Sequence, residues 1–170
     1  MQTAIAVGRR SLCSRDQVGA VIVTAENRII DTGYNGPPAG WQPIHTDSCI
    51  IWCPRSAAAH WWETSEGEDC PDIATEVNRN GLSKDYSDCP ALHAEANALM
   101  FGDRAQRVGG TIYVSSTVCM GCAKLIANSG LRRVVFQRPT IDDKHRTPQL
   151  SIDFMAECGL EVTEYESPGR

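Results

Sequence analysis

Residues 111–136, TIYVSSTVCMGCAKLIANSGLRRVVF, decide the fold. Thr111 to Ser115 and Arg133 to Phe136 are short runs rich in β-branched and aromatic residues, and both read as strands. Between them, Cys119 to Ser129 reads as a helix that Gly130 stops. Working toward the C-terminus, Thr147-Pro148 pairs an N-cap residue with proline at the first helical position. Leu150, Phe154, Met155 and Cys158 then give a further helix its apolar face, Gly159 ends it, and Leu160 to Val162 forms a last strand. A helix separates the strands at 133–136 and 160–162, so those two are expected to run parallel. Toward the N-terminus, Leu92, Ala96, Leu99 and Met100 recur at helical spacing and predict a helix with that stripe toward the core, ended by Gly102. Val18 to Val23 and Arg28 to Tyr34 read as a hairpin turned by Ala25-Glu26-Asn27, with Asn27 tolerant of positive φ. Residues 3–10 suit a short helix.

The alternation of strands and helices predicts one α/β domain over residues 1–170, built on a sheet with helices packed on its faces. Residues 36–91 interrupt the pattern as an insertion. Pro37, Pro38, Gly40, Pro43, Pro54, Gly67 and Pro71 punctuate them, and they hold all four tryptophans with Cys49, Cys53, Cys70 and Cys89. A structureless loop of that length is rare in a compact domain. Short helices are therefore expected at 56–63 and 71–79, ordered by an apolar cluster or a metal.

The chain has 170 residues, with 16 Lys and Arg against 21 Asp and Glu, a net charge of −5. That balance argues against binding bulk nucleic acid. Hydrophobic residues at 42% and charged residues at 22% are globular values and argue against disorder. No apolar run reaches the roughly 20 residues of a membrane span. MQTAIAVGRR reads as no secretory signal, so the thiols are expected to be reduced, in the cytoplasm, and some of them to ligate metal.

The chemistry concentrates in His93-Ala94-Glu95 and Cys119-Met120-Gly121-Cys122. Two cysteines three apart at a helix start share one side of a turn, where the positive end of the helix dipole favours thiolate. Alone, that segment is consistent with a redox pair, half of a zinc knuckle, or chance. His93 supplies a third donor type. One His and two Cys leave a tetrahedral zinc one open position, the mark of a catalytic site. Two residues apart is about 200° of helical rotation, so His93 and Glu95 meet only at a first turn. There Glu95 stands beside the metal without binding it, placed to carry protons between water and a substrate nitrogen. A lone histidine is more often structural, and a lone glutamate more often solvated. It is the combination that points to catalysis.

An H-x-E segment followed by C-x-x-C is the signature of zinc nucleobase deaminases. The chain resembles that superfamily over most of its length, and within it the deoxycytidylate (dCMP) deaminases. The resembling residues are Cys13-Ser14-Arg15 leading into Val18 to Val23, Gly33-Tyr34-Asn35-Gly36, Cys89 to Glu95, and Cys119 to Ile126. Val118 stands where relatives usually have proline, and Ala39 where many carry a basic residue. The resemblance implies a three-layer α-β-α fold with a five-stranded mixed sheet whose last two strands are parallel. It implies hydrolytic conversion of dCMP to dUMP and ammonia, with zinc on His93, Cys119 and Cys122 and with Glu95 as proton carrier. Asn35 would touch the sugar, and the Ala94 backbone and Thr117 the base. A small nucleotide partner and a homo-oligomer follow from the same resemblance. The alternatives are a deaminase of another base or nucleoside (modified cytosine nucleotide, cytidine, guanine, tRNA adenosine) or a non-catalytic zinc-stabilised binding module. Cys49, Cys53, Cys70 and Cys89, with His45 as an alternative to Cys70, are a candidate set for a second, structural zinc, against a reading as plain thiols.

Overall fold

The computed structural model describes residues 1–13, 16–41, 44–45, 50–51, 89–138 and 148–166. The chain forms two compact units. One comprises Met1–Ser11, Gln17–Asn35 and His93–Arg170, and the other Leu12–Asp16 and Gly36–Leu92.

The first unit is built around β1 (Gly19–Val23), whose five residues are all buried. β1 pairs antiparallel with β2 (Ile29–Tyr34), and Asn27 in the connecting turn takes φ 63°, as its residue type allows. The other edge of β1 pairs antiparallel with β3 (Thr111–Val114). β3, β4 (Arg133–Phe136) and β5 (Glu161–Glu164) run parallel, completing a five-stranded mixed sheet in the order β2-β1-β3-β4-β5. The parallel pairing expected for the last two strands is therefore present, and it extends to β3.

Strand alternation sends Ala20, Ile22, Ile112, Val114, Val134 and Phe136 to one face. They pack with Ala94 and Ala98 of α2 (Ala94–Phe101), Ala123 and Ile126 of α4 (Met120–Ala127), and Met155 of α5 (Pro148–Glu157). On the other face Val21 and Val23 pack with Ala4 of α1 (Gln2–Gly8) and with Tyr113. Helices thus lie on both faces.

α2 turns a different side to the core from the one its hydrophobicity suggests, and α5 turns only Phe154 and Met155 of its expected face there. In α2 the buried residues are Ala94, Glu95 and Ala98, while Met100 is 66% exposed and Leu92 precedes the helix. The stripe of Leu92, Ala96, Leu99 and Met100 is therefore not the core face, although Leu99 packs partly against it. The reason is distance: a Cβ on Gly33 of β2 would collide with the backbone at Ala94 and Ala98, so helix and strand meet with almost nothing between them. Only alanine fits that gap. In α5, Ser151 and Met155 are buried, Leu150 is 60% exposed and Cys158 is exposed.

The helix stops behave as their glycines require. Gly130 and Gly159 take φ 90° and 85° after α4 and α5. Gly102 ends α2 in extended backbone; a Cβ there would strike the Asp31 carboxylate. Arg107 of the short α3 (Arg104–Arg107) closes that end, donating to Leu99 O at 2.7 Å and Gly102 O at 3.2 Å. The Thr147 cap lies outside the described residues.

In the second unit, Ile44–His45 and Ile50–Ile51 form a short antiparallel ladder. Gly36 and Leu92 exchange backbone hydrogen bonds of 3.1 and 2.9 Å, which joins the two ends of the expected insertion. The helices expected at 56–63 and 71–79 lie outside the described residues.

Gly33→Ala is expected to destabilise the protein by about 1–3 kcal/mol, the usual magnitude of an overpacked contact. Urea denaturation checks this; an unchanged midpoint would show that α2 can withdraw from β2 freely.

Candidate functional site

Two helices begin at one place. His93 is the N-cap of α2 at φ −71°, ψ 153°, and Cys119 is the N-cap of α4 at φ −76°, ψ 163°. Extended backbone at each cap turns the side chain across the helix start rather than along its flank. Cys119 Sγ accepts from the Cys122 N–H at 3.4 Å, so the first thiol caps the helix that the second thiol helps to open. His93 makes no cap bond; its Nδ1 lies 3.3 Å from Cys119 Sγ and 3.4 Å from Cys122 Sγ. All three donor atoms fall within 4.8 Å of one another. Zinc bonds of about 2.3 Å to sulfur and about 2.0–2.1 Å to nitrogen put S and N about 3.6 Å apart in a tetrahedron. The observed spacings agree within a few tenths of an ångström, so the donor set suits zinc. Burial grades across the cluster, from buried Cys122 through half-buried Cys119 to exposed His93.

Glu95 is the second helical residue of α2 and is 3% exposed. Burial raises its pKa, and the nearby His93 only partly offsets this. The Cys119 thiol is held down to about 3, chiefly by its hydrogen bond with Cys122 and further by His93 and the Cys122 N–H. Cys122 is pushed up because it keeps the shared proton and is buried. A cation bound between the two sulfurs would favour thiolate on both.

The other expected site residues divide. Asn35 sits just past β2, its N–H donating to Val18 O at 3.1 Å and its Oδ1 accepting from Val18 N at 2.8 Å. The Ser11 hydroxyl donates to Asn35 O at 2.6 Å. Ala94, the first residue of α2, is fully buried. Thr117 is 8% exposed, and its Oγ1 has no hydrogen-bond partner among the described residues. Cys89 is half-buried in the second unit; Cys49, Cys53 and Cys70 lie outside the described residues.

Three supporting roles escaped the sequence reading. Ser151 of α5 is buried, with its hydroxyl 2.7 Å from Val118 O and 2.9 Å from Pro148 O. It anchors the loop just before Cys119. Gly33 sets the depth of α2, and Asn97 ties α2 to Tyr34. Gly33 stands in the Gly33-Tyr34-Asn35-Gly36 segment already singled out, and Ser151 left the trace of a small polar residue four positions before Met155 on one helix face. A cavity of about 210 Å³ lies on the other sheet face, and no histidine, cysteine or carboxylate lines it.

Comparison with known proteins agrees with this geometry. The family model for the cytidine and deoxycytidylate deaminase zinc-binding region matches residues 1–138. The chain is 38% identical over 135 residues to the deoxycytidylate deaminase of Mycobacterium phage D29, covering 79% of this chain and 88% of that one. It is 31% identical over 177 residues to the human deoxycytidylate deaminase, covering 98% and 84%. Among solved structures, the dCMP deaminase of cyanophage S-TIM5 in complex with dCMP and dUMP superposes with TM-score 0.59 at 25% identity, covering 96% of this chain and 92% of that one.

Ser151→Ala leaves the buried Val118 carbonyl without its donor. A loss of about 1–3 kcal/mol is expected from the denaturation midpoint, and a loss under about 0.5 kcal/mol would mean that the loop is held by other contacts.

Proposed function

The chain belongs to the cytidine and deoxycytidylate deaminase family, and from that premise we propose that it hydrolyses dCMP to dUMP and ammonia, with His93, Cys119 and Cys122 holding one zinc ion and Glu95 carrying protons. The observation that carries this reading is the convergence of one imidazole and two thiols within 4.8 Å beside a buried carboxyl group. When bound, zinc supplies the Lewis acidity that makes water a nucleophile near neutral pH. Water adds to C4 of the cytosine ring, the bond from C4 to the exocyclic nitrogen breaks, and ammonia leaves. Glu95 would take one proton from the water and deliver it to ring N3, then take the remaining proton from the C4 hydroxyl as the carbonyl forms and pass it to the departing amine. Its burial supports this role, because a carboxyl that holds its proton more tightly than usual can give it to a nitrogen as well as receive it.

Substrate contacts form part of the proposal. The Ala94 N–H is one of the donors that a helix start leaves unpaired within the helix, and it would meet the base together with the uncommitted Thr117 hydroxyl. Asn35, held by Val18 and Ser11, would meet the sugar. The net charge of −5 favours a small nucleotide over bulk nucleic acid. Among the described residues no helix is long and apolar enough to cross a membrane. A cytoplasmic setting suits the reduced thiols that metal binding requires. Phe101 at 81% exposure and Met100 at 66% support assembly into a homo-oligomer. The cysteines Cys49, Cys53, Cys70 and Cys89, with His45 as the alternative to Cys70, would hold a second, structural zinc that orders the insertion.

A panel of dCMP, deoxycytidine, CMP and dCTP, scored by absorbance loss and ammonia release, tests the substrate; dCMP is expected to be turned over best. Glu95→Gln is expected to retain zinc and lose turnover by at least about 10²–10⁴-fold, whereas Cys122→Ala is expected to lose that zinc. Ammonia release by Glu95→Gln at the wild-type rate would remove the residue from the proton path.

Metal analysis is expected to find roughly two zinc ions per chain, falling to about one in Cys49→Ser. One ion per chain in both proteins would dispose of the second site.

A further inference from the structure

We propose that Asn97 is a positioning residue that keeps the Asn35 loop in register with the His93–Glu95 turn. The proposal rests on the reading of Asn35 as a substrate contact. Asn97 lies four residues after His93, on the same face of α2. Its N–H donates to His93 O at 3.0 Å, and its side-chain Nδ2 donates to Tyr34 O at 2.8 Å. Tyr34 is the last residue of β2, the edge strand of the sheet, where outward-facing carbonyls lack a neighbouring strand. The next residue is Asn35, fixed to Val18 through both its backbone and its side chain. One short path therefore runs from the His93 carbonyl through Asn97 to the Tyr34–Asn35 peptide.

The contact at Gly33 sets how deeply α2 sits, but a van der Waals contact does not set rotation or sliding. A hydrogen bond is directional and does. Helix propensity gives no reason for asparagine here, since it is a weak former inside a helix. The tie to Tyr34 does. A slip of α2 along β2 would move the proton carrier and the sugar contact relative to each other, which reduces both binding and turnover.

The test is a double-mutant cycle on the zinc-loaded protein with the nucleotide that the wild type turns over best. A wild type that ignores dCMP thus corrects the substrate assignment while the coupling still decides the role of Asn97. Asn97→Asp replaces the donor with an oxygen facing the Tyr34 carbonyl; Asn97→Ala serves if that variant does not fold. Zinc content is expected to be unchanged and kcat/KM to fall about 10-fold in the Asn35 background. In an Asn35→Ala background the same substitution is expected to change kcat/KM by less than about 2-fold. Equal losses in both backgrounds overturn the proposal and leave the Asn35 contact standing. Wild-type kcat/KM in Asn97→Asp or Asn97→Ala overturns it as well. Wild-type kcat/KM in Asn35→Ala alone removes the sugar contact and the proposal with it.

Discussion

The backbone of α2 rests on the backbone of β2 at Gly33, with no side chain between them. Everything at the site depends on that depth. A methyl group there would collide with the α2 backbone at Ala94 and Ala98 and force one of the two elements to shift. With α2 seated, its first turn meets the first turn of α4, and the imidazole of His93 comes within 3.4 Å of both thiols. The small residues Ala94 and Ala98 are thus the counterpart of Gly33. They give up buried apolar area so that two helix starts can converge.

Electrostatics then sorts the groups brought together. Two helix N-termini point at the cluster, each worth about 0.3–1 kcal/mol to a nearby negative charge. The larger effect on Cys119 is local: the hydrogen bond from Cys122, followed by His93 and the Cys122 N–H, makes it the thiolate of the pair. Glu95 moves the opposite way because burial outweighs the attraction of His93. Exposed at the same sequence position, it would lose that upward push from burial. The loop that carries Cys119 is held by Ser151, whose hydroxyl reaches Val118 O.

Much of the framework was legible along the chain. The strands at 19–23, 29–34, 111–114 and 133–136 follow β-branched runs, and Asn27 takes the positive φ that a short hairpin needs. The pairing of His93 with Glu95 was readable because a two-residue spacing works only at a helix start, and α2 begins at Ala94. The buried face of α2 was misread, and that of α5 only in part, since Phe154 and Met155 do reach the core. Hydrophobicity ranks leucine and methionine above alanine and serine, but the distance between packed elements decides which side chain can enter. Met100 and Leu150 are exposed, whereas Ala98 and Ser151 are buried.

By itself the sequence determined that α2, α4 and α5 end at or just before Gly102, Gly130 and Gly159, and which donor types stand at the starts of α2 and α4. Caps, glycines and spacing act over a few residues, so they can be read without knowing what lies nearby in space. The tertiary structure alone decided that donors 26 residues apart meet at 3.3 Å and that Glu95 is sealed from water. It also decided that Asn97 and Ser151 serve as ties. Those facts arise from sheet register and from contacts between distant segments, which leave no local pattern in the chain.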